Sequence, residues 1–271
     1  MTDAPLRFIA DDGRREPRCN LAVDEALARA AGPEPALRFW RNDRCVILGR
    51  FQVADAEVDL GAAHRLGVPV YRRFTGGGAV YHDAGNLNVS LVAPRDHPFV
   101  ERRLGAGLQG LYGAVLEPLA AAVRTLGIPA RAAPRGLFVG GRKLGGVAAW
   151  VGGRTVLVHT TLLVDADLVT LERVLAGPGD PGNCRWELTK SERAPVTSLA
   201  RELDRATAPE ASSARSDLRA IDDVVIDAFR AAAGDPLECP VTDDGLREAE
   251  LAVAADFLWS RYGKSAWHAS G

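Results

Sequence analysis

The apolar residues of this chain fall into short runs with two different periods, and the switches between periods divide it into elements. Asn20 to Ala31 (NLAVDEALARAA) places Leu21, Leu27 and several alanines at helical spacing, and Gly32-Pro33 stops the helix. Leu37–Trp40 and Cys45–Phe51 have strand character around the polar turn Arg41-Asn42-Asp43-Arg44. A helix is predicted over Val58–Leu66, closed by Gly67, and a strand over Val68–Phe74, broken by Gly76-Gly77-Gly78. Strands resume at Ala79–Tyr81 and Asn88–Val92 around a polar loop. Leu108–Leu126 is a long apolar-faced helix ending at Gly127. Leu137–Val139, Leu144–Val151 and Thr155–Val164 are strands separated by the glycine turns Gly140-Gly141 and Gly152-Gly153. Asp165 and Asp167 fit a turn and the start of a helix.

After Asp165 the pattern changes. Gly177–Gly182 (GPGDPG) has no hydrophobic period, and Arg205–Arg215 (RATAPEASSAR) is polar and alanine-rich. Two helices follow, over Asp217–Ala233 and Gly245–Tyr262. Strands and helices mix without strict βαβ alternation, which predicts an α+β fold.

Composition narrows the functions that fit. With 271 residues, 47% of them hydrophobic and 25% charged, the chain can bury a core without disulfides or metals. A net charge of −2 and a pI near 6.2 argue against a nucleic-acid binder. Four cysteines (Cys19, Cys45, Cys184, Cys239) stand far apart and five histidines are scattered, so no metal or disulfide framework is predicted. They are read as reduced thiols of a cytoplasmic protein. Met1–Arg18 carries no apolar core typical of a signal peptide, and no apolar run approaches the roughly 20 residues of a membrane span.

The candidate chemistry begins in Tyr71–Ser90 (YRRFTGGGAVYHDAGNLNVS). Three successive glycines between strands weaken a sheet, but they let bare N–H groups approach a ligand. Arg72 and Arg73 precede the loop, and strand alternation lets only one of them face it. Thr75 offers a hydroxyl at the loop edge, and His82, Asp83 and Asn86 bring polar groups back to the same region.

RRFTGGGAVYHDAGNLNVS closely resembles the signature of lipoate–protein ligase A and its relatives, which share a fold with biotin protein ligases and octanoyltransferases. The resemblance runs from about Asn20 to Leu199, through NLAVDEAL and Val46-Ile47-Leu48-Gly49-Arg50-Phe51-Gln52, with a weaker echo at Tyr262–Trp267. It implies mixed, largely antiparallel sheets flanked by helices. It also implies three regions: a catalytic domain over 1–204, a polar linker over 205–216, and C-terminal helices over 217–271 packed on that domain. Gly141-Arg142-Lys143-Leu144-Gly145-Gly146 matches the segment that carries the family's essential lysine. A fixed ammonium suits this chemistry, because activating a carboxylate develops negative charge on oxygen. Lys143 is the only lysine before Trp186 in a chain whose cations there are otherwise arginines. His159 stands where the family often places a histidine.

By resemblance, then, the chain activates lipoate or octanoate with ATP and Mg2+ as an acyl-adenylate. It passes the acyl group to a lysine of a lipoyl-domain protein or glycine-cleavage H protein. Lys143 is the expected catalytic residue. Arg73, Thr75, Gly76, Gly77, Gly78, Ala79, His82, Asn86, Gly145 and His159 are the expected substrate-binding residues, with no protein metal ligand among them. Typical ligases carry an Asn-Asp pair ahead of the lysine segment, used around nucleotide and magnesium. This chain has Pro134-Arg135-Gly136-Leu137 there. Two other readings stay open: an octanoyltransferase that takes its acyl group from a carrier protein through Cys184, and a non-catalytic lipoyl binder. The longest ligases also carry an accessory domain, and only about 70 residues follow Leu199, so either the chain works alone or a separate accessory polypeptide completes adenylation.

Overall fold

Among the described residues, eleven strands form two sheets. The computed structural model describes residues 4–10, 13, 15–30, 32–176, 191–206, 218–237 and 240–269, and only the backbone of 218–220 and 232–237. The strands are β1 (Leu6–Ile9), β2 (Ala36–Trp40), β3 (Cys45–Leu48), β4 (Val70–Arg72), β5 (Val80–His82), β6 (Asn86–Pro94), β7 (Arg131–Ala133), β8 (Gly136–Val139), β9 (Arg142–Val151), β10 (Thr155–Leu163) and β11 (Val241–Asp244). The helices are α1 (Pro17–Ala30), α2 (Ala54–Glu57), α3 (Leu60–Arg65), α4 (Pro98–Gly105), α5 (Gly107–Thr125), α6 (Leu168–Val174), α7 (Leu199–Ala206), α8 (Leu218–Leu237), α9 (Glu248–Phe257) and α10 (Ser265–Ala269), with a π-helical turn at Leu258–Tyr262.

The large sheet has the order β11-β1-β2-β6-β10-β9-β8-β7, and the small one β4-β3-β5. Only β11–β1, β1–β2 and β3–β4 are parallel pairs. The α+β architecture with mixed sheets and flanking helices is therefore as expected. Strand alternation gives the large sheet two different faces. Leu37, Phe39, Val89, Leu91, Val158 and Leu162 point to one side, where α5 and α8 complete the main apolar core. Arg38, Trp40, Asn88, Ser90, His159 and Thr161 occupy the alternate positions in the same register. α1 lies against that polar face, with α9 packed on it from outside, so every residue from Asn20 to Ala28 is buried.

Several predicted elements change. The turn at residues 41–44 does not make a hairpin: β2 belongs to the large sheet and β3 to the small one. The helix predicted over Val58–Leu66 is shorter, α3, and a further short helix, α2, precedes it. The Asp59 carboxylate accepts from the Ala62 N–H at 2.7 Å, and that cap starts α3 at Leu60. Asp167 likewise caps α6. The strands β1 and β11 were not predicted. β11 is a four-residue edge strand, VTDD, with mostly exposed side chains and no hydrophobic alternation. Residues 207–216 of the predicted linker and Cys184 lie outside the described residues. Among the described residues no helix is long and apolar enough to cross a membrane.

Candidate active site

The glycine loop joins β4 to β5 across the end of β3, and Arg73 holds its shape. Its guanidinium donates to Thr75 Oγ1 at 2.9 Å, to the Gly76 carbonyl at 2.6 Å, to the Gly78 carbonyl at 2.8 Å and to the Ile47 carbonyl at 3.2 Å. None of these acceptors is charged. Burial without a carboxylate pulls the Arg73 pKa down to about 10, which leaves it cationic at neutral pH. Arg72 points the other way, into the carbonyls of Gly49, Arg50 and Gln52. The loop needs its glycines in two places. Gly77 has φ +89°, and a Cβ there would lie 2.9 Å from Arg73 Nη2 and 3.0 Å from Ala148 Cβ. A Cβ on Gly49 would lie 2.0 Å from the Gly77 carbonyl oxygen.

Lys143 stands opposite this loop. The Gly140-Gly141 turn, with φ of +52° and +81°, feeds it into β9. Its backbone is clamped by Lys143 N–H to Pro195 O at 2.7 Å and Thr197 N–H to Lys143 O at 3.0 Å. Its side chain runs over bare backbone: a Cβ on Gly146 would lie 3.8 Å from Nζ, and one on Gly136 3.1 Å from Cε. The ammonium has no hydrogen bond or ion pair with any described residue. Burial lowers its pKa, while Glu192 pulls the other way.

Two adjoining cavities meet at Lys143. The first, about 300 Å³, runs inward from Lys143, Gly77, Gly78 and Ala79 to Leu21, Ile47, Trp40, His82 and Asn88. The second, about 260 Å³, is bounded by Ala79, Lys143, Gly145, Leu163, Leu171 and Ala194. Ser191 lies between them; its Oγ accepts from the Ala79 N–H at 2.8 Å and from Gln52 Nε2 at 3.1 Å.

Beneath the loop, the polar face of the sheet forms a continuous network. Asp24 accepts from Arg38 at 3.0 Å, from the Ser90 hydroxyl at 2.7 Å and from His159 Nδ1 at 3.4 Å. His159 Nε2 then meets Thr75 Oγ1 at 2.9 Å. Because the Asp24 carboxylate can only accept, Nδ1 carries the proton of the neutral ring, and Nε2 accepts from the Thr75 hydroxyl. The glycine loop is thus tied to a buried carboxylate through Thr75 and His159. Burial lowers the His159 pKa, against the opposing pull of Asp24. His82, pulled down to about 3 mainly by burial, is neutral and lies between Asn42 at 3.0 Å and Thr161 Oγ1 at 3.1 Å.

Of the residues singled out in the sequence, Arg73, Gly77, Gly78, Ala79, His82, Lys143 and His159 line the first cavity, and Gly145 lines the second. Thr75, Gly76 and Asn86 line neither. Asn86 serves its own loop, accepting from the Asp83 N–H and donating to the Tyr81 carbonyl. Asp24, Arg38, Trp40, Asn88, Ser90, Thr161 and Ser191 were not singled out. Polar residues at every second position of buried strands (Asn86-Asn88-Ser90, His159-Thr161) were the signal available. The described residues include no group of three His, Cys, Asp or Glu placed to hold a metal ion. Of the described cysteines, Cys19 and Cys45, neither lines either cavity, and burial raises the Cys45 pKa well above the usual thiol range.

A glycine loop and an ammonium without a hydrogen bond or ion pair to any described residue thus meet where the two cavities adjoin. Residues 16–231 match the model of the lipoyl protein ligase A/B catalytic domain, and the chain belongs to that family of enzymes. It is 30% identical to the lipoate-protein ligase A subunit 1 of Thermoplasma acidophilum, over 93% of this chain and 91% of that one. It is 31% identical to the octanoyltransferase LipM of Symbiobacterium thermophilum, over 96% and 97% respectively. It spans about half the length of several other lipoate-protein ligases that it matches. Among solved structures, a T. acidophilum lipoate protein ligase with bound lipoic acid superposes with a TM-score of 0.76 at 27% identity, covering 100% of both chains. A lipoate-protein ligase A bound with ATP superposes with a TM-score of 0.72 at 27% identity, covering 99% of both.

Proposed function

We propose that this chain joins lipoate, or octanoate, to ATP as an acyl-adenylate and passes the acyl group to a lysine of a lipoyl-domain protein or H protein in the cytoplasm. The observation that carries this reading is the lone Lys143 ammonium at the junction of the two cavities, facing the glycine loop. The acyl chain enters the first cavity and its carboxylate stops at Lys143. The nucleotide takes the second cavity, and the reacting phosphate lies at the junction. A carboxylate oxygen attacks the α-phosphorus, the new O–P bond forms, and pyrophosphate leaves. The acceptor amine then attacks the acyl carbon, an amide forms, and AMP leaves. Both steps move negative charge onto oxygen beside Lys143, where a fixed cation in a water-poor site acts most strongly. Arg73 contributes through the loop it holds and through its charge. With no three-residue donor set for Mg2+ among the described residues, no step here is assigned to a protein-bound metal.

Similarity to a protein called subunit 1 supports a partner polypeptide that completes the reaction. Similarity to an octanoyltransferase along nearly the whole chain favours a second reading, transfer from an acyl carrier protein through Cys184. One experiment tests both. An apo lipoyl domain is incubated with the purified chain and either lipoate plus ATP or octanoyl carrier protein, and the acceptor's mass is read. A lipoyl mass shift that requires ATP supports the ligase. Transfer from the carrier protein without nucleotide overturns it in favour of the transferase. Full ligase activity of the chain alone removes the obligatory partner.

A further inference from the structure

The inner wall of the first cavity carries a hydrogen-bond donor with no acceptor among the described residues. Asn88 is 1% exposed, and its Nδ2 has no acceptor. The orientation of this amide, oxygen on Thr161 and nitrogen at the cavity wall, agrees with the hydrogen bonds leading to it. Arg38 can only donate, so the Asn20 atom that receives it at 2.5 Å is Oδ1, and Asn20 Nδ2 donates to the Arg41 carbonyl. The same Nδ2 donates to Asn42 Oδ1 at 2.9 Å, which turns Asn42 Nδ2 toward His82 Nδ1. His82 must therefore carry its proton on Nε2 and donate to Thr161 Oγ1. The Thr161 hydroxyl in turn donates to Asn88 Oδ1 at 2.8 Å. Every bond in the series runs the same way, so the series ends in two N–H bonds of Asn88 at the cavity wall.

Register places Asn88 between Trp40 on β2 and Thr161 on β10. Trp40, Leu21 and Ile47 supply the apolar remainder of that inner end. We propose that Asn88 determines acyl specificity, favouring a chain whose far end carries a polarisable, weakly accepting atom such as a ring sulfur over a plain alkyl chain. This rests on the acyl-binding reading of the first cavity. A methyl terminus would seal the Asn88 donor without an acceptor. A sulfur receives it weakly and also packs well against the Trp40 ring. Leaving a buried donor unmet weakens binding roughly five- to hundredfold, and a weak acceptor recovers part of that.

The test is equilibrium binding of three acids to the purified chain: lipoate, octanoate, and a thioether analogue of octanoate with sulfur replacing its sixth carbon. Lipoate is expected to bind about tenfold more tightly than octanoate, with the thioether between them. Asn88→Leu is expected to bring all three within about twofold, chiefly by tightening octanoate. The ligand series on the unaltered protein stands even if that variant fails to fold. Equal binding of the three acids to the unaltered protein overturns the proposal, as does an unchanged lipoate-to-octanoate ratio in a folded Asn88→Leu variant. If none of the acids binds, the functional reading falls as well.

Discussion

Strands β2, β6 and β10 hold two opposite environments a single side-chain layer apart. On one face, Phe39 is fully buried within the main apolar core, with ring contacts to Phe8 at 5.2 Å and Phe229 at 5.6 Å. On the other, the same strands bury Arg38, Asn88, Ser90 and Thr161 in a network that reaches the glycine loop. The first face pays for folding. The second holds charge and unmet donors that cost stability and serve a ligand. Variants on the two faces should therefore separate stability from chemistry.

The largest expected effect lies on the apolar face. Phe39→Ala should lower unfolding free energy by about 3–5 kcal/mol while leaving kcat per folded molecule nearly unchanged. Denaturant unfolding and turnover on the same preparation check this. If kcat falls in step with stability, the faces are not separable. Next, Lys143→Ala should cost about 3–4 kcal/mol of transition-state stabilisation, a hundred- to thousandfold in acyl transfer, with little loss of melting temperature, because the ammonium makes no hydrogen bond or ion pair with a described residue. Lys143→Arg should fail nearly as badly, since the side chain is fitted over Gly136 and Gly146. Transfer within tenfold of the unaltered enzyme would remove Lys143 from the chemistry.

His159→Gln falls in between. It breaks the link from Asp24 to Thr75 and should cost about 1–3 kcal/mol, shared between melting temperature and kcat. A change in melting temperature alone would make His159 purely structural. The smallest effect is one of pH. In the unfolded chain His82 binds a proton below its ordinary pKa of 6.5, whereas in the fold it stays neutral down to about 3. The unfolded state therefore binds more protons across that window, and stability falls as pH drops from about 6.5 toward 3. The lowered pKa of His159 acts in the same direction. Melting temperatures from pH 7 to pH 5 should fall less steeply in His82→Gln, and an identical slope would show that His82 is not the titrating group.

Much of the site was legible because it broke local rules. Three glycines between strands and one lysine among arginines stand out in any reading of the chain. The network beneath them did not, because Asp24, Arg38, Asn88 and His159 come from four distant segments. Periodicity shows that a strand has two faces, but not what a second face meets. For the same reason the Arg41–Arg44 turn did not show which sheets its strands join: a polar turn between two strands looks alike whether they pair or part into separate sheets. β11 left no trace, since an exposed edge strand needs no apolar pattern.

The parallel pairing of β1 with β11 has a kinetic consequence. Leu6 is matched with Val241, and Arg7 makes ion pairs with Asp244 and Glu250. β1 must wait for a strand that lies far along the chain. This part of the sheet forms only at high contact order, and it should close late and slowly. On a ribosome, the edge of β1 stays open to mispairing until β11 has emerged.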